Sequence, residues 1–271
     1  MDIDTVTDFV PAPDAAWRDG DGWLAGGTWL FSEPQPGLRR LLDLHAFGWP
    51  PLVESAAGLQ IAATCTLAEL SRWRPTRANW PAAALIGQCC NALLGSFKVW
   101  NMATVGGNIC LSLPAGPMTS LAASLDGTAT LWSPDGAARD VPVMDFVTGP
   151  GRNVLRPGEL LRSVFLPAAS MRGRIAFRQA SLSPLGRSAA VVIGRRPAEL
   201  PGGRAGLVVT VTAATPRPVQ LRFGTWPTPE AAVGALATAV PRYHDDMHGA
   251  PQWRAAMTHR HVAEVVAELS S

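Results

Sequence analysis

Thr104-Val105-Gly106-Gly107-Asn108 decides how this chain is read, together with the earlier Ala25-Gly26-Gly27-Thr28. Each is a pair of glycines flanked by a small hydroxyl residue. Each follows a short apolar run, Trp23-Leu24 in one case and Asn101-Met102-Ala103 in the other, where a strand is expected to end and a turn to begin. Paired glycines let the backbone turn sharply, take φ > 0 and approach a ligand with no Cβ in the way, so several N–H groups can point into one concavity. Such a concavity suits a phosphate. A hydrogen bond to a charged acceptor contributes roughly 1.5–3 kcal/mol, so a handful of amides can hold a diphosphate without basic side chains. The only lysine is Lys98, which agrees with that economy. Either pair alone also reads as an ordinary tight turn, whereas two in one chain point to one shared ligand.

Composition narrows the class. A chain of 271 residues and 28.6 kDa with 47% hydrophobic residues has enough material for two or three units with real cores. The formal charge is +2, and the 23 basic residues are scattered in ones and twos, so no stripe for nucleic acid or a membrane surface is present. Met1-Asp2-Ile3-Asp4 lacks a basic and then apolar leader, and no run approaches the ~18 apolar residues of a membrane span. The expected location is therefore cytoplasmic. Cys65, Cys89, Cys90 and Cys110 show no ligand spacing, so an iron–sulfur or metal site within the chain is not expected. The vicinal Cys89-Cys90 reads as a pair of buried small hydrophobes. His244, His248, His259 and His261 beside Asp245 and Asp246 read as a polar loop and an exposed helix face.

Outward from the glycine pairs, residues 9–17 read as a short proline-punctuated helix and 23–25 as a strand into the first turn. Gly20 to Ala25 formally satisfies GxGxxA, but the pattern precedes the apparent strand, whereas a dinucleotide fingerprint must follow one. Further strands are expected at 41–44, 58–66, 128–132, 141–143 and 160–166. Thr66 with Glu69 forms a capping box for a helix, residues 79–94 a buried helix begun near Pro81, and 121–126 another helix. The last part reads as strands at 175–180, 189–193 and 206–213 in a meander, with helices at 229–239 and 252–269 on one face. The expected fold class is α+β.

These segments resemble, in order and over nearly the whole chain, the flavin-binding medium subunit of the xanthine dehydrogenase, carbon monoxide dehydrogenase and aldehyde oxidase family of molybdenum hydroxylases. The carrying motifs are the two glycine loops, Leu42-Asp43-Leu44 with Pro51-Leu52, and the stretch from Leu59 to Leu70. They continue with Val141-Pro142-Val143-Met144-Asp145-Phe146, Pro157-Gly158-Glu159-Leu160-Leu161, Phe177-Arg178-Gln179-Ala180-Ser181 and Pro216-Arg217-Pro218-Val219.

The resemblance implies a two-part FAD-binding region, 1–57 and 58–168, and a small C-terminal α+β domain, 169–271. It implies a noncovalent FAD with Ala25, Gly26, Gly27, Thr28, Trp29 and Leu30 as one diphosphate loop and Thr104, Gly106, Gly107 and Asn108 as the other. Leu161 would lie near the isoalloxazine edge, and Arg178 stands where the family often has a lysine. Two departures are present: Pro117 occupies the place of a family aspartate that reaches the FAD, and Trp29 replaces a small or acidic residue. The implied activity is electron transfer through FAD to an external acceptor. The implied partners are a large subunit with a molybdopterin cofactor and a small one with [2Fe–2S] clusters, as a dimer of heterotrimers. The alternatives are a structural subunit that has lost FAD and a stand-alone flavoprotein reductase.

Overall fold

The described residues are 4–76, 79–198 and 206–270, and the computed structural model arranges them as three sheets and a short ribbon, with helices between and against them. The chain opens with β1 (Asp8–Pro11) and a single 3-10 turn at Ala12–Asp14, where a helix over 9–17 was expected. Pro11 and Pro13 are the reason: neither can donate an amide hydrogen to a continuing helix. β2 (Asp21–Leu24) and β3 (Arg40–Asp43) complete a parallel sheet in the order β1-β3-β2. The GxGxxA pattern falls on β2 itself, so it is not a turn after a strand. Arg40 grips the buried Asp21 through both carboxylate oxygens, at 2.8 and 2.6 Å, and ties β2 to β3.

Next come β4 (Leu52–Glu54), β5 (Gly58–Ala62) and the helices α1 (Leu67–Arg72), α2 (Ala84–Ala92), α3 (Phe97–Met102), α4 (Val105–Cys110) and α5 (Pro117–Ser124). β6 (Thr128–Trp132) and β7 (Ala138–Pro142) follow, then α6 (Val143–Phe146), the ribbon of β8 (Val147–Gly149) with β9 (Arg152–Asn153), and β10 (Leu160–Pro167). The middle sheet runs antiparallel in the order β4-β5-β10-β6-β7. The capping box is present: Thr66 Oγ1 accepts from the Glu69 amide, and Glu69 Oε2 accepts from the Thr66 amide.

After α7 (Ala168–Met171) the chain forms β11 (Arg174–Ala180), β12 (Ala190–Arg196), β13 (Leu207–Thr212) and β14 (Val219–Phe223), an antiparallel meander. β14 was not anticipated, although Val219, Leu221 and Phe223 alternate with polar residues. β12 and β13 are buried on both faces. On β12, Val191 and Ile193 join the core of the middle sheet, while Ala190 and Val192 face α8 (Pro229–Ala239) and α9 (Pro251–Ser270). The period of two thus lets one strand serve two cores. α9 buries Arg254, Thr258, His261, Val262, Val265, Val266 and Leu269 at helical spacing, so His261 faces the core and not solvent. Burial of Cys89 and Cys90 is complete.

The first and middle sheets meet at Glu159, which is 4% exposed. Its carboxylate takes Arg139 Nε at 2.9 Å and Nη2 at 2.7 Å, and its carbonyl accepts from Trp23 Nε1 on β2 at 3.2 Å. The hydrogen bonds from Arg139 outweigh desolvation and hold the carboxyl at about 2, below its ordinary 4.5. A carboxylate depressed on folding contributes stability that is present above its ordinary value and lost as pH falls toward the folded one. Glu159→Gln is therefore expected to cost roughly 2 kcal/mol at pH 7 in a urea titration. It should also flatten the loss of stability that the native protein shows between about pH 4.5 and pH 2; an unchanged acid limb would contradict this.

Candidate functional site

The two glycine turns meet across one cavity of about 740 Å³, which Gly26, Gly27 and Gly107 line, a size usual for small-molecule sites. The first pair follows β2. Gly27 sits at φ +67°, a left-handed position that favours glycine, and the Phe31 amide closes the turn on the Gly27 carbonyl at 2.9 Å. Gly26 is glycine for a different reason: a Cβ there would lie 1.7 Å from the Met102 carbonyl oxygen, so the loop rests directly on the end of α3. Through this stretch the amides of Gly26, Gly27, Thr28, Trp29 and Leu30 donate to no protein acceptor among the described residues. Five neighbouring donors are left for a ligand.

The second pair differs from expectation. A helix, α3, precedes it in place of a strand, and the glycines form the first turn of α4, capped by Thr104 Oγ1 on the Gly107 amide at 3.1 Å. The amides of Val105 and Gly106 are taken by the carbonyls of Cys65 and Ala63, at 2.8 and 2.9 Å. A Cβ on Gly106 would fall 2.5 Å from Ala63 Cβ, which makes this glycine a packing requirement; it does not line the cavity. Gly107 does line it, and its virtual Cβ meets only Thr104 Oγ1, at 3.0 Å. What the start of α4 offers the cavity is therefore side-chain polarity: the hydroxyl of its cap Thr104, and Asn108, whose Oδ1 holds the Met118 amide at 3.0 Å while its NH2 donates to no acceptor among the described residues.

Of the residues singled out from sequence, the structure brings Ala25, Gly26, Gly27, Thr28, Trp29, Leu30, Thr104, Gly107, Asn108 and Pro117 to this one cavity. Pro117 is the first residue of α5, where its missing N–H costs nothing. Leu161 and Arg178 lie elsewhere. Leu161 is buried in the middle sheet opposite Leu131. Arg178 pairs with Glu264 at 3.0 Å and Glu268 at 2.6 Å on α9.

The sequence reading did not anticipate the remaining walls. Val99, Leu111 and Leu113 supply apolar surface, and the loop between β11 and β12 brings Leu185 and Arg187 across to the rim. Cys110 also lines the cavity, but burial pushes its thiol up to about 12. It stays protonated and a poor nucleophile. No carboxylate lines the cavity among the described residues, and Arg187 is the single charged side chain that does. A cradle of neutral donors with no acid fits an extended ligand that carries a diphosphate and apolar ring systems. Among the described residues no group of three His, Cys, Asp or Glu side chains could hold a metal, and no helix is long and apolar enough to cross a membrane.

Comparisons with known proteins agree with that chemistry. Xanthine dehydrogenase of Oryza sativa subsp. japonica is 33% identical over 84 residues, which are 29% of this chain and 6% of that protein, so the likeness spans a small part of a much longer chain. Quinoline 2-oxidoreductase from Pseudomonas putida 86 superposes with a TM-score of 0.79 over 99% of this chain and 98% of that one, at 21% identity. Reconstituted CO dehydrogenase from Oligotropha carboxidovorans gives 0.80 over 98% of both, also at 21%. Carbon monoxide dehydrogenase from Hydrogenophaga pseudoflava gives 0.81 over 97% of this chain and 96% of that one, at 20%. At these identities the structures establish a shared fold. The model of the FAD binding domain in molybdopterin dehydrogenase matches residues 19–169, more than half of the chain and both glycine turns, and the chain belongs to that family.

Proposed function

We propose that the chain is the FAD-carrying electron-transfer subunit of a molybdenum hydroxylase, with FAD held in the cavity between the two glycine turns. The observation that carries this reading is that residues 26–30, whose amides donate to no acceptor among the described residues, line one acid-free cavity together with Thr104 and Asn108. Bound there, the flavin would supply a redox centre able to accept electrons from a donor and release them to an acceptor. The chain's own residues bind and orient it. The amides of 26–30 would take the diphosphate, Thr104 and Asn108 would hold polar atoms from the opposite wall, and Val99, Leu111 and Leu113 would exclude water from the ring systems. The attachment would be noncovalent, since neither glycine loop carries a histidine or a cysteine.

The substrate-oxidising chemistry is assigned to partners, a large subunit with the molybdopterin cofactor and a small one with [2Fe–2S] clusters. The support is that the chain's family and its fold relatives are molybdopterin dehydrogenases and related oxidoreductases, and that the described residues form no metal cluster of their own. A dimer of such heterotrimers, working in the cytoplasm, is the assembly expected.

Three outcomes are expected. Acid extraction of the purified protein should release one FAD per chain, and a colourless preparation with no extractable flavin would favour a structural subunit. The two glycines of α4 should separate in mutagenesis. Gly107→Val would project into the cavity and lower FAD affinity at least tenfold, about 1.4 kcal/mol, with little change in the melting temperature of the apoprotein. Gly106→Val would drive a side chain into Ala63 and destabilise the fold itself by about 2 kcal/mol or more. Equal flavin content in the native protein and Gly107→Val would place the diphosphate elsewhere. Finally, a tag on this chain expressed from its native genomic context should recover molybdenum, iron and two further chains. A flavin-bearing monomer that oxidises NAD(P)H with no molybdenum or iron would instead establish a stand-alone reductase.

A further inference from the structure

A second cavity, of about 280 Å³, opens beside the first and shares Leu113, Ala115 and Arg187 with it. Its walls come from distant parts of the chain: the loop before α5, the ribbon turn at Pro150 and Gly151, the loop between β11 and β12, and the loop before α9. The polar groups are not scattered. Arg187 is exposed and makes no hydrogen bond or ion pair among the described residues. Ser188, 2% exposed, accepts from Gln179 Nε2 at 2.8 Å, so its own hydroxyl hydrogen is left to donate. His244 meets Asp246 at 3.2 Å through Nε2, and Asp246 also takes the buried Arg254.

Arg254 is what makes this a built site. At 1% exposure it donates to the carbonyls of Gly249, Ala189 and Ala213, at 2.7, 2.7 and 2.6 Å, besides Asp246. A buried guanidinium costs too much to be incidental unless it is fully satisfied, and here it fastens three loops that form the cavity walls. Ala213 is itself held at φ +62°, with its amide on the Pro114 carbonyl at 2.7 Å. The cavity walls therefore carry two guanidiniums against one carboxylate, and the carboxylate is already engaged by Arg254 and His244. Arg187 and the Ser188 hydroxyl remain as uncommitted donors.

We propose that this second cavity is an anion-binding subsite that takes the phosphate or carboxylate group of a small molecule, with Arg187 and Ser188 as the contacting groups, His244 beside them and Arg254 as the positioning residue. Because Arg187 lies on the shared wall, a molecule anchored here sits beside the larger cavity. Any part the bound anion plays in electron transfer rests on the flavin reading above, whereas its binding does not.

The test is a titration of the purified protein, flavin content recorded in each preparation, with inorganic phosphate, acetate and glycerol phosphate in separate experiments followed by calorimetry. Arg187→Gln, at an exposed position, and His244→Gln, which lies outside the larger cavity, are titrated alongside. Saturable binding of at least one probe, weakened tenfold or more by Arg187→Gln and at least threefold by His244→Gln, is the expected result. Tightest binding of inorganic phosphate or acetate would identify a free small anion as the occupant. A preference for glycerol phosphate would identify the charged end of a larger molecule. No saturable binding of any probe, or binding that both variants retain, overturns the subsite. Absence of flavin from every preparation would count against the proposed function and leave the titration readable.

Discussion

The seam between residues 63–67 and 103–106 carries the rest of the molecule. Three backbone hydrogen bonds cross it: Leu67 to the Ala103 carbonyl, Val105 to that of Cys65, and Gly106 to that of Ala63. It works at that distance only because Gly106 has no Cβ to meet Ala63. The seam places α4 at the end of β5, so that Gly107 and Asn108 of this helix, with its cap Thr104, are turned to the cavity. The one glycine pair thus divides its labour, Gly106 against the protein and Gly107 toward the space a ligand would fill. On the other wall Gly26 rests against the Met102 carbonyl, so both turns are registered against the same short helix, α3.

The third sheet is attached with comparable care. Ser120 on α5 and Thr212 on β13 share a buried hydrogen bond of 2.6 Å, Gln220 reaches the Ala123 carbonyl at 3.1 Å, and the buried Arg195 donates to the Ser124 carbonyl at 3.0 Å and pairs with Asp126. A buried network is stable only when every member finds a partner. Most of these links end on α5, whose first residue, Pro117, lines the cavity with Gly116 before it. The meander and its helices therefore brace the site from behind, and its β11–β12 loop supplies the rim with Leu185 and Arg187.

Electrostatically the larger cavity is plain. The strong ion pairs, Arg40 with Asp21, Arg139 with Glu159 and Arg178 with Glu264 and Glu268, lie away from it and stitch elements together. Amides aimed from a rigid turn hold an anion without the entropy that a lysine or arginine loses on being fixed. Lys98 accordingly lies on α3 without lining the cavity.

Local chemistry determined much of this from sequence. Alternation set β6 at Thr128–Trp132, the Thr66–Glu69 box opened α1, Thr228 and Pro229 opened α8, and the glycine pairs marked both turns around the cavity. These features depend on neighbours within a few residues, so the sequence carries them openly. Tertiary structure decided the rest. β1 exists because β3 offers it a parallel edge, which outweighs a weak helical pattern broken by Pro11 and Pro13. Whether each glycine serves backbone contact, handedness or open space depends on what lies opposite it: Met102 for Gly26, Phe31 for Gly27, Ala63 for Gly106 and the cavity for Gly107. Arg178 was drawn to the carboxylates of α9, some 90 residues away in the chain, and Arg187 was brought to the rim by a loop whose own sequence gives no sign of it. Such long-range choices follow from packing between segments remote in sequence, where no local pattern records the partner.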